Sequence, residues 1–202
     1  MPSQSEGRPS EARSRLLTTA TRLFYAEGIH AVGIDRIVAE AQVTRATLYR
    51  HFPGKEDLVL AYLDEVDRAV RGQADEAVAA GLPAAGTIRA LSESIAQGIR
   101  SPGFRGCAFL NAAAEYPDPE SPVHKAVLAH RHWFLETVTE LLAKIQETGA
   151  EAAARHFVMM RDGAMAAGCL FDPVLVCETF LRGVERLLQV YAATDYDGPE
   201  GA

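Results

Sequence analysis

Apolar positions recur at helical spacing along almost the whole chain. Leu16, Leu17, Ala20, Leu23 and Phe24 follow one another on one face of a helix, with Ser10 as a hydroxyl cap in front and Gly28 as a stop behind. They predict a first helix over 10–28. Ile34, Ile37, Val38 and Ala41 predict a short second helix over 34–41, and Leu48 and Phe52, with Val43 ahead of them and Thr44 as cap, a third over 43–52. Pro53-Gly54 breaks the chain, and a long helix follows from Lys55 to about Ala80. Further helices are predicted over 84–100, 105–115, 122–148, 151–168 and 173–193, punctuated by Gly81-Leu82-Pro83, Ser101-Pro102-Gly103, Pro117-Asp118-Pro119, Gly149 and Asp172-Pro173. Nowhere do Val, Ile and Thr alternate as a half-buried strand requires. The fold class is therefore all-α, with about nine helices. Residues 10–54 form a three-helix unit and 55–194 a larger helical domain, the helix over 55–80 linking them. Residues 1–9 and 195–202 are polar, carry Gly and Pro, and are predicted to be disordered.

The third helix carries more polar side chains than its burial needs. With Leu48 at the centre of the buried face, Thr44 and Phe52 fall beside it, while Ala46 and Arg50 lie about 160° away and Tyr49 and Thr47 about 100° away. Arg45 sits at the edge in the first turn, and His51 lies nearer the buried side, as a packed hydrogen-bonding histidine would. A short helix, the tight turn Gln42-Val43 and a capped second helix make a helix-turn-helix. In such a unit the second helix enters the DNA major groove. Arginine reads guanine edges, threonine touches the thymine methyl, tyrosine takes phosphate, and a small Ala46 allows close approach. Lys55, opening the next helix, is placed as a phosphate clamp. An amphipathic surface helix showing its charges to water is the plainer alternative.

Charge leans the same way. Residues 1–55 carry a net +3 and the remainder −10, within an overall −7. A basic end on an acidic body suits contact with a polyanion. Three cysteines, Cys107, Cys169 and Cys177, form no C-x-x-C pair, which fits a reduced cytoplasmic chain. No apolar run reaches the roughly 18 residues of a membrane span, so no membrane partner is expected. Enzyme chemistry has little footing: there is no Gly-rich phosphate loop, no G-x-S-x-G and no H-E-x-x-H. His124, His130 and His132 cluster, and His132 and Glu136 share a face, but two ligands are too few for a metal site. No metal and no cofactor is expected. A helical interaction module without DNA binding remains the other alternative; its partner binding should ignore salt, whereas DNA binding should weaken steeply with it.

Ile34-Asp35-Arg36-Ile37-Val38-Ala39-Glu40-Ala41, then Val43-Thr44-Arg45-Ala46-Thr47-Leu48-Tyr49-Arg50-His51-Phe52, then Gly54-Lys55-Glu56-Asp57-Leu58, resembles the DNA-binding end of the tetracycline-repressor (TetR) family. The resemblance covers residues 10–60. Gly106-Cys107-Ala108-Phe109-Leu110-Asn111 and Tyr116-Pro117-Asp118-Pro119 are similar to a subgroup of that family. It implies a ligand-responsive regulator, most simply a repressor, that binds a palindromic double-stranded DNA operator as a homodimer and is released by a small, largely apolar effector. The implied DNA-binding residues are Gly33, Thr44, Arg45, Ala46, Thr47, Tyr49, Arg50, His51 and Lys55. The chain departs from the family pattern at Gly33, where Thr or Ser is usual, at Gln42, where the turn takes glycine, and at Ala46, where glycine is frequent. Gln42 must then adopt the left-handed conformation or reshape the turn.

The resemblance also implies a small-molecule site and a dimer face in the larger domain. Apolar residues of the middle helices, Phe104, Cys107, Phe109, Leu110, Trp133, Phe134, Met159 and Met160, with Asn111 and His130 as polar handles, are the expected ligand-binding set. Small residues in the last two helices, Ala164, Ala167, Gly168 and Gly183, together with Val174, Phe180, Val184 and Leu187, are expected at a four-helix interface with a second copy. Ligand bound among the central helices would tilt the helix from Lys55 and move the paired reading helices out of register.

Overall fold

Capping sets where the helices begin. Ser10 Oγ accepts from the Arg13 N–H at 3.2 Å and opens α1 (Glu11–Glu27), and Gly28 closes it with an N–H to Phe24 O at 3.0 Å. The remaining helices are α2 (Ile34–Glu40), α3 (Arg45–His51), α4 (Lys55–Ala79), α5 (Ala84–Arg100), α6 (Ala108–Glu115), α7 (Pro122–Ala143), α8 (Ala150–Ala167) and α9 (Pro173–Ala193). This computed structural model describes residues 10–193, and among them there are nine helices and no strand, as the all-α expectation required. The predicted disorder of 1–9 and 195–202 lies outside the described residues.

The largest departures from the predicted spans, at α6 and α7, have local reasons. α6 starts at Ala108 rather than 105, because Gly106 takes φ 86°, outside any right-handed helix. α7 ends at Ala143 rather than running to 148. The N–H groups of Ile145 and Gln146 both return to Leu142 O, at 2.8 and 3.0 Å, and Gly149 at φ 81° then turns the chain into α8.

The helices group into two compact units. The first holds the described residues up to Val66 together with Ala108–Val127, and the second holds Asp67–Cys107 and the residues from Leu128 onward. Thus α4 and α7 each supply residues to both. The sequence places a boundary at Lys55, with the helix from there as the link; packing groups the first half of α4 with α1–α3 and adds α6 and the start of α7, which the sequence did not suggest. In α4, Leu58, Val59, Tyr62 and Leu63 are buried at helical spacing, the Tyr62 ring lies 5.9 Å from Phe24, and Thr21 Oγ1 donates to Glu65 at 3.2 Å. From α6, the Glu115 carboxylate accepts from the backbone N–H groups of Ile29 at 2.8 Å and His30 at 2.6 Å, so it caps the turn that leads into α2.

In the second unit α9 packs on α5 and α8. Its core is apolar: Ile88 and Ile99 of α5, Val138 and Leu142 of α7, Phe157 of α8, and Val184 and Leu188 of α9 are all essentially buried. Phe134, Phe157 and Phe180 form a relay with centroids 6.4 and 6.2 Å apart. Each fully buried ring of this kind contributes about 1.5–3 kcal/mol.

Candidate nucleic-acid interface and small-molecule cavity

The turn between α2 and α3 is made by Gln42 at φ 54°, the one positive φ at a residue other than glycine among the described residues. Val43 N–H closes onto Val38 O at 3.1 Å. Thr44 then caps α3: its Oγ1 accepts from the Thr47 N–H at 3.1 Å and lies 2.9 Å from the Thr47 hydroxyl. Leu48 and Phe52 are buried, and Arg45, Ala46, Tyr49 and Arg50 are exposed. The helical wheel therefore gives the right faces, with one correction. Thr44, assigned to the buried side, is exposed, because as a cap it has extended backbone (φ −88°, ψ 158°) and helical angles do not apply to it.

The other expected DNA-contacting residues are distributed as follows. Arg45 Nε meets Asp35 Oδ1 at 2.6 Å, tying α3 to α2. Arg50 makes no ion pair among the described residues and projects from the exposed face beside Tyr49, which is 48% exposed. His51 Nε2 lies 3.0 Å from Ser10 Oγ, so it is partly packed, as its place on the wheel suggests. Lys55 turns partly inward: its Nζ lies 6.0 Å from the Phe24 ring centroid, and burial lowers its pKa, with Glu115 opposing. Gly33 begins α2 in extended conformation, and a Cβ added there would meet nothing within 4 Å. Arg36 braces this surface from behind, donating to Glu27 at 2.7 Å and to Glu40 at 2.9 Å, while Arg22 also reaches Glu40. Glu27 and then Glu40 raise the Arg36 pKa, and Arg22 and Arg36 hold Glu40 below its usual value. These exposed pairs orient α2 on α1 more than they stabilise it.

The second unit contains a cavity of about 330 Å³ between α4, α5, α7 and α8. Val70, Ile95, Phe134 and Met165 give it apolar walls, Gln73 and Ser94 stand on its polar side, and Arg161 also lines it. Of the ligand residues expected from sequence, Phe134 alone is on this wall. Trp133 and His130 lie next to it on α7: His130 Nδ1 is 2.6 Å from Asp67 Oδ1, its ring centroid is 5.6 Å from that of Trp133, and Arg71 stacks 4.2 Å over Trp133. Cys107 is buried with its Sγ 3.5 Å from Arg161 Nη1. Phe104 packs against the core near Gly168. Phe109, Leu110 and Asn111 belong to the first unit, where Phe109 is buried and Asn111 exposed. Met159 is 73% exposed, and Met160 borders a different groove. The expected set therefore does not converge on one site. Arg161, Val70, Ile95 and Met165 were not anticipated. Arg161 had a signal, since it follows Phe157 and Val158 by four and three residues and so falls on the buried face of α8.

The groove bordered by Met160 runs along α8 and α9 and has a volume of about 450 Å³. Ala164, Ala167, Phe180 and Gly183 of the expected dimer set line it, with Phe171 and Leu175. Around it, Leu170, Phe171, Val174 and Leu175 are between 51% and 76% exposed, a contiguous apolar display on a charged chain. Gly168 and Val184 face inward instead. A Cβ on Gly168 would sit 2.6 Å from Ile99 Cγ2, and Val184 is 1% exposed. Leu187 packs on the core. Among the described residues no group of His, Cys, Asp and Glu could hold a metal ion, and no helix is long and apolar enough to cross a membrane.

Comparison with known proteins adds the following. A family model described as "Bacterial regulatory proteins, tetR family" matches residues 16–62, the span from the middle of α1 into α4. The crystal structure of SCO4454, a TetR-family transcriptional regulator from Streptomyces coelicolor, is 69% identical, superposes with a TM-score of 0.89, and is matched over 91% of this chain and 97% of that one. The HTH-type transcriptional regulator LmrA of Bacillus subtilis is 29% identical over 166 residues, 80% of this chain and 86% of its own length. The HTH-type transcriptional activator FasR of Mycolicibacterium smegmatis is 43% identical over 63 residues, 31% of this chain and 29% of its own. These relatives are regulators of transcription rather than enzymes.

Proposed function

Because the chain belongs to the TetR family of bacterial transcriptional regulators, we propose that it is a cytoplasmic, ligand-responsive repressor that binds a palindromic operator as a homodimer and is released by a small, largely apolar effector. The observation that carries this is the outer face of α3. Ala46, Tyr49 and Arg50 are exposed together on a helix whose buried side is satisfied by Leu48 alone, and among the described residues Arg50 makes no ion pair. In a helix-turn-helix, such a face enters the major groove: Arg50 would read a guanine edge, Tyr49 and the capped start of α3 would take phosphate oxygens, and Ala46 would let the helix approach the bases. Thr47 and Arg45 flank this set. Arg45 keeps more than half its side chain exposed despite its Asp35 partner. Lys55 would contribute by leaving the Phe24 ring for a phosphate.

One such helix reads too few base pairs for useful affinity, so a second copy is required. The apolar groove of α8 and α9 supports that role: joining two copies there would cover Phe171 and Leu175, now largely in water. The cavity walled by Val70, Ile95, Phe134 and Met165 supports effector binding. Since α4 is one continuous helix that supplies residues to both units, a ligand that displaces its second half would displace the first half as well. A differential affinity of about 1–3 kcal/mol between the two forms suffices for control.

Selection of duplex fragments by the purified protein tests the reading. A two-fold symmetric site with half-sites about 34–36 Å apart is expected. Arg50→Ala should relax the preference at one position in each half-site, Lys55→Ala should weaken every sequence alike, and affinity should fall steeply with salt. A monomer that ignores duplexes at low ionic strength overturns the proposal. In a reporter with the site across its promoter, expression that falls when the protein is removed would make it an activator.

A further inference from the structure

The cavity of the second unit ends on a cation that the chain leaves incompletely matched. Arg161 is 4% exposed and lines the cavity, and arginine stays protonated in proteins. Its Nη1 donates to Asp162 Oδ1 at 2.9 Å and its guanidinium lies 5.1 Å from the Phe134 ring centroid. Its Nε is buried and, among the described residues, has no hydrogen-bond acceptor. Asp162 is a shared partner, because both of its oxygens also accept from Arg131, Oδ1 at 3.0 Å and Oδ2 at 2.5 Å. The other nearby carboxylate is equally committed: Asp67 takes Arg71 at 2.6 Å and His130 at 2.6 Å. Among the described residues three guanidiniums, Arg71, Arg131 and Arg161, thus face two carboxylates, Asp67 and Asp162. Burial holds His130 below its ordinary pKa despite Asp67, so it adds no fixed charge. A buried guanidinium with half a partner and an orphaned donor is costly, and an anion supplied from outside removes that cost.

Resting on the effector-cavity reading above, we propose that the effector is an organic acid: a carboxylate that pairs with the Arg161 guanidinium where it lines the cavity, on an apolar body that lies against Val70, Ile95, Phe134 and Met165. At about 330 Å³ the cavity is at the small end of ligand pockets, which suits a single ring system or a short chain. The Gln73 side chain, accepting from Ser94 Oγ at 3.3 Å, stands on the exposed side and leaves the far end of the ligand close to water. An uncharged isostere would leave Arg161 as it is now.

The test uses the full-length protein and titration calorimetry at neutral pH with two matched pairs, 1-naphthoate with 1-naphthamide and decanoate with decanamide. At least one acid should bind about tenfold or more tighter than its amide, Arg161→Met should erase that difference, and Gly98→Phe should abolish binding of both members of the pair. Gly98 is exposed on the cavity wall and a Cβ there meets nothing within 4 Å, so that variant blocks the site without touching Arg161. The acid-to-amide ratio of the unaltered protein decides the question even if Arg161→Met fails to fold. Equal binding of acid and amide, no binding of either acid, or acid binding that survives Gly98→Phe would each overturn the proposal. Duplex binding measured in the same preparations without ligand separates the two readings. If it is present while the acids fail, only the ligand class is wrong; if it is absent, the regulator reading falls.

Discussion

Gln42→Gly should stabilise the protein. Gln42 sits at φ 54° in the turn between α2 and α3. An L-residue pays about 1–2 kcal/mol for this left-handed region, because its Cβ crowds the following carbonyl, and glycine does not. Against that gain, glycine loosens the unfolded chain, which costs about 0.4–1 kcal/mol. The Gln42 side chain is exposed and makes no hydrogen bond among the described residues, so its removal forfeits no contact, and the Gln42 N–H to Ala39 O bond at 3.2 Å is a backbone bond that survives. The net is about 0.5–1 kcal/mol in favour of the variant. For a chain of this size that corresponds to a rise of about 1–4 °C in Tm. Guanidinium and thermal denaturation followed by circular dichroism would measure it, with Gln42→Ala as the control that keeps the strain and gains nothing. Operator affinity should not fall, since the turn geometry is already the one glycine prefers. A folded Gln42→Gly protein that melts at or below the unaltered one, or an alanine variant that gains as much, would refute the strain argument.

Four further outcomes follow from other contacts. Glu115→Gln should cost about 1–3 kcal/mol, because an amide can accept from only one of the Ile29 and His30 N–H groups as well as the carboxylate now does from both; unchanged denaturation would show the cap to be dispensable. Gly168→Ala should cost about 1–3 kcal/mol by driving a methyl to 2.6 Å from Ile99 Cγ2, and a neutral result would mean that α8 and α5 are not in such close contact. His130 should make stability pH-dependent. Burial lowers its pKa below the ordinary 6.5, Arg161 and Arg71 lower it further, and Asp67 opposes them, so the unfolded chain binds the proton more readily. Stability should therefore fall as pH drops below about 6.5 and flatten once the folded form also protonates. Asp67, held low despite its burial by Arg71 and His130, extends the loss to more acid pH. His130→Gln should remove the slope nearest pH 6; a slope that remains there assigns it to another group. Finally, the pair Phe171→Asp and Leu175→Glu should yield monomers in sedimentation that no longer bind the symmetric operator, and dimers that persist would place the interface elsewhere.

What could be read from the chain alone was set by interactions within a few residues. The spacing of Leu16, Leu23 and Phe24, the caps Ser10 and Thr44, and the break at Pro53-Gly54 place α1, α3 and α4, and the exposed set Ala46, Tyr49 and Arg50 follows from helical geometry once Leu48 is known to be buried. The strain at Gln42 was legible for the same reason: a turn of that length needs a left-handed residue, whatever surrounds it. The lining of the second unit's cavity was not legible in this way. Phe109 and Asn111 are as apolar and polar as a pocket needs, yet they lie in the first unit, where Glu115 of their helix caps a turn some 85 positions earlier. Arg161 stood at buried spacing behind Phe157, but a pattern of apolar positions passes over a charge. Periodicity says which face of a helix turns inward. Which faces then meet, and so where a groove, a cavity or an unmatched cation is left, depends on contacts between residues far apart in the chain, and only the folded structure decides them.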